Sequence, residues 1–247
     1  MSRIITGHQP VYLPWLGLFH KISLADIFIY MDDVQYLTQD WNNRNKIKTP
    51  QGWMWVIVPI SIKKSSSVLL KDIVIDNSRK GTKNDWQVEH WKAINANYKR
   101  APYFNEYADF FHDMYIDKRW DKLVDINEYQ LRYFLKILGI NIDFYKASEL
   151  SFTQKKSDLI LEHCTRFNSD TCVTGSEGRN YIKEDTFKDR GIKIYYQNYN
   201  HPKYNQLWGE FISHMSIIDL LFNHGLDILD ILLSENISRD YLVRTER

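Results

Sequence analysis

An opening β-α-β pattern constrains this chain more than any other feature. Ile4 and Ile5 begin a short strand that ends at Gly7. After Pro10 and Pro14, the run from Trp15 to Ala25 places Leu16, Phe19 and Ile22 on one helical face, with Leu18 beside them. Asp26 then opens IFIYM, a continuous apolar run of the kind carried by a strand buried on both faces. The run ends at Met31 and is followed by Asp32 and Asp33. In open α/β sheets, ligands sit outside the carboxyl ends of the strands.

The remainder of the chain extends the pattern. WMWVIVPISI, residues 53 to 62, is rich in β-branched and aromatic residues and follows the turn signal PQG, so a hairpin with Arg44 to Lys48 is expected. Three helical stretches fill Thr82 to Leu138, with Trp86, His90 and Ile94 and then Phe104, Ala108 and Phe111 at helix spacing. After Gly139 the alternation returns: strands near Ile142 to Tyr145, Thr171 to Thr174 and Ile192 to Tyr196, with helices from Lys156 to Phe167 and ending near Arg190. Two closing helices follow, over Ser213 to Phe222 and Leu226 to Leu233. The expected fold class is α/β, a Rossmann-like, mostly parallel sheet flanked by helices. The 247 residues read as one α/β domain with residues 81–138 as a helical insertion.

Charge balance narrows the partners. Thirty-two basic residues against 31 acidic ones leave a formal net charge of +1, so no bulk field favours nucleic acid or an anionic membrane surface. The start lacks the apolar core of a secretory signal, and IIDLLF at 217–222 is far shorter than a membrane span, so a soluble, cytoplasmic protein is expected. Cys164 and Cys172 are too few for a disulfide framework and read as buried apolar filler, with Cys172 as a thioester nucleophile the other reading. The eight histidines fall in no metal-ligand spacing, so neither metal nor cofactor is implied.

Four constellations can carry chemistry. In GHQPVYLPWLGLF, His8 and Gln9 stand at a strand's carboxyl end before a helix. A histidine there is either a general base or a satisfied core residue. In DDVQY and WNNRNKIK, Arg44, Lys46 and Lys48 alternate and so share one face of a strand, as a phosphate ladder or a solvated basic face; Asn43 and Asn45 face the other way. In TGSEGRNY, Gly175 and Gly178 allow amide groups to converge on an oxyanion, Ser176 adds a hydroxyl, and Tyr181 follows; a plain turn explains the glycines equally. In NYNHPKYNQLWG, His201, Tyr204, Gln206 and Trp208 suit a sugar or a base.

HQPVYLPWLGLFHKI, ADIFIYMDDVQY, WNNRNKIKTPQGWMWVIVPI, VTGSEGRNYI and YNHPKYNQLWGEFISHMSIIDLLFNHG together resemble the WbqC-like proteins found with O-antigen and other surface-polysaccharide genes. Residues 63–140 carry little of the likeness, and Leu18 stands where an aromatic residue is expected. The resemblance implies transfer of an amino acid, glycine in the role proposed for the family, onto an amino sugar; it brings no catalytic residues with it.

On this reading the partners are a nucleotide-linked amino sugar and an activated amino acid donor. His8 is the expected base. Ser176 with the Gly175 and Gly178 amides serves the oxyanion or a phosphate, Arg44 serves the diphosphate, and Lys46 and Lys48 belong with it to the binding set. Asp32 or Asp33 binds sugar hydroxyls or the ammonium, and His201 is the alternative base. Gln9, Tyr12, Gln35, Asn45, Tyr181, Tyr204 and Gln206 complete the expected binding set. His8, Asp32, Arg44, Ser176 and His201 are expected to line one cavity. The rivals are a nucleotidyltransferase, whose loop carries two histidines around a glycine where this chain has PWLGLF with His20 beyond it, and a non-catalytic sugar-nucleotide-binding protein.

Overall fold

The structure is a computed structural model that describes residues 2–62 and 68–245. The opening unit is β1 (Ile4–His8), α1 (Leu16–Ser23) and β2 (Ile27–Tyr30). A hairpin follows, β3 (Arg44–Thr49) and β4 (Gly52–Ile57), and then a small pair, β5 (Ile60–Ser61) and β6 (Val74–Ile75). The helical stretch is α2 (Trp86–Tyr98), α3 (Phe104–His112) and α4 (Leu123–Ile137). The alternation resumes with β7 (Asp143–Lys146), α5 (Ala147–Leu150), α6 (Lys156–Arg166), β8 (Thr171–Thr174), α7 (Glu184–Lys188) and β9 (Lys193–Tyr196). The chain closes with α8 (Ile217–His224), α9 (Ile228–Leu233) and α10 (Arg239–Thr245).

Five strands form one parallel sheet in the order β7-β2-β1-β8-β9. This is the α/β, Rossmann-like arrangement expected from the alternation. From β1 the chain builds outward through β2 to β7, then returns to place β8 and β9 on the other side. The gap between β1 and β8 is therefore the topological switch point, where open sheets bind ligands. β2 shows why an all-apolar strand is needed there: Phe28 and Tyr30 pack into the core shared with α1 and the helical stretch, while Ile27 and Ile29 join Cys164, Cys172 and Phe187 on the opposite face. Phe19 of α1 meets Phe134 of α4 edge-on at 5.9 Å, tying the helical stretch to the sheet.

Two local departures have clear causes. The expected strand over 53–62 is interrupted after Ile57: the Val58 amide still donates to Asn43 O at 2.7 Å, but Pro59 has no amide to offer a ladder. The chain then turns away, and Ile60 pairs with Ile75 instead. In the hairpin, Gly52 sits at φ +124° opposite Thr49, a conformation closed to other residues. Among the described residues, no helix is long and apolar enough to cross a membrane.

Candidate functional site

His8 is the last residue of β1, and the pairing on its two sides differs. β2 continues alongside to His8↔Tyr30, whereas β8 stops at Thr6↔Val173, so β1 and β8 part just below the histidine. The His8 Nδ1–H donates to Gln9 O at 2.9 Å. A carbonyl can only accept, so in the neutral ring Nε2 carries the lone pair, and it has no partner among the described residues. Burial, then the neighbouring Lys21 ammonium, push the His8 pKa down to about 3 against the opposing Gln9 hydrogen bond. The ring is neutral at physiological pH.

From His8 a continuous wall of rings leads to the hairpin. His8 meets Trp15 edge-on at 5.4 Å, Trp15 meets Trp41 at 6.0 Å, Trp41 meets Trp55 at 5.5 Å, and Trp55 meets Trp53 at 5.7 Å. The Arg44 guanidinium lies 4.7 Å from the Trp55 centroid, and the Lys46 ammonium lies 4.3 Å from Trp53 and 5.2 Å from Trp55. Strand register explains this: Lys46 pairs across with Trp55 and Lys48 with Trp53, so cations and indoles emerge on one face. Arg44 donates to Gln39 O, yet its Nε has no partner.

The loop between His8 and α1 is held by amide side chains. Asn45 Nδ2 donates to Leu13 O at 2.5 Å, Asn42 Nδ2 donates to Pro10 O at 2.7 Å, and Gln130 Oε1 accepts from the Leu13 amide at 2.9 Å. Leu13 itself is held at φ +44°, a strained conformation for a leucine that this over-determined surround maintains. Asn42 Oδ1 is buried without a partner. Asn42 and Gln130 were not singled out by the sequence; the density of amides in WNNRN pointed toward Asn42, and no local pattern pointed toward Gln130 in α4.

Several expected site residues prove to be fastening instead. The Asp32 carboxylate is 1% exposed and accepts from the Ser148 amide at 2.8 Å and its hydroxyl at 2.6 Å, so it anchors the first turn of α5 rather than a sugar. Tyr12 is fully buried with its hydroxyl between His90 and Tyr115, and Asn45 is spent on the loop. Lys48 leaves the basic ladder, because it is 2% exposed and donates to Gln206 Oε1 at 2.7 Å and to Glu210 O. Gln206 in turn donates to Asp219 Oδ2 at 2.7 Å, joined there by Tyr204 at 2.9 Å, while Tyr98 donates to Asp219 Oδ1 at 2.9 Å. Burial raises the Asp219 pKa against those hydrogen bonds, and burial lowers that of Lys48.

His201 is likewise occupied: its Nδ1–H donates to Pro202 O and its Nε2 accepts from the His214 amide at 3.1 Å. A ring with both nitrogens engaged cannot take a proton from a substrate, so the alternative base is withdrawn. His20 is fully buried, with its ring nitrogens against Ile237 O and Gln197 Nε2, which leaves it no phosphate to meet and weakens the nucleotidyltransferase reading. Of the five residues expected to line one cavity, His8, Asp32, Arg44, Ser176 and His201, Asp32 and His201 thus have their polar atoms engaged within the protein.

The Gly-rich turn is a short helical turn over Ser176–Asn180 beyond β8, at the same sheet edge as His8. Its glycines do not make a converging nest. Gly175 has an extended φ of −72°, and the Gly178 amide is already donated to Gly175 O at 3.0 Å. Gly178 is needed for space, since a Cβ there would lie 2.6 Å from Thr174 Oγ1. Ser176 and Tyr181 are exposed, with Tyr181 hydrogen-bonded to the Thr174 side chain. Gln35 is exposed, its backbone bridged to Leu69. Asp33 is half-buried beside Asp32, and burial followed by that neighbour raises its pKa. Gln9 accepts from Asn42 Nδ2 at 3.4 Å, close to the His8 ring.

Comparison with known proteins agrees on a family and carries no named activity. The profile described as the WbqC-like protein family matches residues 9–231. An uncharacterised protein of Mycobacterium tuberculosis is 33% identical over 225 residues, 91% of this chain and 95% of the relative. No solved structure matches the chain.

Proposed function

The chain belongs to the WbqC-like protein family, and from that premise we propose that it is an aminoacyl transferase acting on the amine of a nucleotide-linked amino sugar in surface-polysaccharide synthesis. The observation that carries this reading is the wall running from His8 through Trp15, Trp41 and Trp55 to Arg44 and Lys46. Indole faces suit a base or a sugar ring, and a guanidinium with an ammonium beside them suits a diphosphate. That combination, ending at a neutral histidine, fits one extended substrate whose reacting end lies at the switch point.

In the reaction the sugar amine attacks the carbonyl carbon of the activated amino acid. The new C–N bond forms as the carbonyl π pair moves to oxygen, and collapse of the tetrahedral adduct expels the leaving group with its bonding pair. As the C–N bond forms, the amine nitrogen becomes cationic and its proton acidic, so His8 Nε2 accepts it without needing to be a strong base. Exposed Ser176, at the same sheet edge, offers a side-chain hydroxyl for the oxyanion. A mass-spectrometric assay with nucleotide-linked amino sugars and activated glycine donors tests the proposal. A glycyl mass gain on the sugar supports it; tight binding without any mass gain assigns the non-catalytic alternative.

A further inference from the structure

Lys21 has no place in the scheme so far, and its position is unusual. It stands in α1, where every residue from Leu16 to Ile22 is buried, and it is itself 5% exposed. Helical side chains point back toward the helix N-terminus, and that direction carries Lys21 toward the carboxyl edge of the sheet. There Nζ donates to Gly7 O at 3.0 Å, the carbonyl just beyond the last β1–β8 pair and just before His8. The ammonium thus reaches the carboxyl edge of the sheet at the point where β8 stops accompanying β1.

Its charge is left unbalanced. Among the described residues no carboxylate lies within ion-pair distance of Lys21, and two of its three N–H donors have no partner. Buried ammonium groups are ordinarily paired or hydrogen-bonded throughout, because an isolated one is costly to hold away from water. The titratable groups acting on it are His8 from β1 and Cys172 from β8, and neither is a carboxylate.

We propose that Lys21 is the receptor for an anionic oxygen of the substrate, a phosphate or a carboxylate, bound in the crevice between the ends of β1 and β8. This rests on the reading of the cleft as a nucleotide-sugar and amino acid site, and it adds the point that fixes the anion next to His8. Burial holds the Lys21 ammonium at about pKa 7, so a bound anion draws Lys21 back to full charge. The same anion offsets the Lys21 field that depresses His8, which makes His8 a better base only when substrate is present.

Calorimetric titration of wild type, Lys21→Met and Arg44→Lys with inorganic pyrophosphate and, separately, with glycine tests the proposal, with thermal melting to establish that each variant is folded. Lys21→Met is expected to lower affinity at least tenfold for one probe, and the probe that loses identifies phosphate or carboxylate as the anion. A folded Lys21→Met that binds both probes as wild type does overturns the proposal. If Arg44→Lys alone weakens pyrophosphate, the wall reading survives and the Lys21 role does not. A measurement on the unmutated protein guards against a folding defect: the Lys21 side-chain NMR resonance should titrate at higher pH with the effective probe saturating. No movement with either probe contradicts the proposal. In Lys21→Met the His8 ring should titrate upward from its low value, which a lysine serving only as structure and already neutral would not cause.

Discussion

Two polar regions of this molecule looked alike in sequence and differ in structure. Around Asp219, every strong polar group is spent on another: Tyr98, Tyr204, Gln206 and Lys48 form a closed, buried network. Around His8, Nε2 of the histidine, two donors of Lys21, Oδ1 of Asn42 and Nε of Arg44 are unspent. The first arrangement fixes a fold and has nothing left to bind with. The second is what a site waiting for a ligand requires, because unsatisfied buried polar groups are costly and need a reason to persist.

The largest expected effect breaks the closed region. Asp219→Ala leaves Tyr98, Tyr204 and Gln206 without their common acceptor and the buried Lys48 ammonium without its neighbouring carboxylate, and should cost on the order of 3–5 kcal/mol, the usual penalty for removing one partner of a buried charged network. Urea denaturation measures it, while ligand affinity per folded molecule should be unchanged. Acid should act on the buried histidines next. Burial lowers His90 and His163 from 6.5 to about 4, so between pH 4 and 6.5 the unfolded chain binds more protons than the folded one. Stability is then full above pH 6.5 and falls as pH drops through that window, by on the order of a few kcal/mol. Thermal melts from pH 7 to 4 should show this fall; a flat profile would show that the rings are not held neutral.

His8→Gln acts on the open region. Turnover should fall about a hundredfold, the usual contribution of a positioned base, with little loss of stability or binding. Steady-state kinetics alongside a melting curve separates this from a core histidine, for which the melting temperature would fall and turnover per folded molecule would not. Gly178→Ala should cost about 1–3 kcal/mol through its clash with Thr174, whereas Gly175→Ala, with open space around it, should stay within about 0.5 kcal/mol. Equal losses at the two glycines would restore the nest reading of that turn. Smallest is Arg44→Lys, expected to weaken a nucleotide-linked sugar by about 1 kcal/mol, since charge is kept while the planar guanidinium over Trp55 is lost.

The sequence made the frame legible because periodicity is local. The continuous IFIYM run, the alternation after Gly139 and the strand Thr171–Thr174 all appear where expected, and they place His8 and Ser176 on one sheet edge. What it did not make legible is which polar residues are already satisfied, since that depends on partners distant in the chain. Asp32 meets Ser148 116 positions away, and Lys48 meets Gln206 158 positions away. Lys21 was readable in principle, as a lysine inside a short, mostly apolar helix, but its missing counter-ion is a tertiary fact. The wall was half-visible: the alternation of Arg44 and Lys46 was seen, the succession of Trp15, Trp41 and Trp55 beneath them was not.

The tryptophans offer the most direct test of the central claim, that ligand binds at the His8 wall and not at the closed region. Trp208 donates its indole N–H to Asn97 O at 2.8 Å, Trp120 to Met114 O at 2.8 Å and Trp86 to Asn77 Oδ1 at 3.1 Å, so they report on places away from the wall. Titration with a uridine-diphosphate-linked amino sugar, followed through assigned indole resonances, should shift Trp15, Trp41 and Trp55 while leaving Trp86, Trp120 and Trp208 in place. Shifts centred on Trp208, with Trp15 and Trp41 unmoved, would contradict the account.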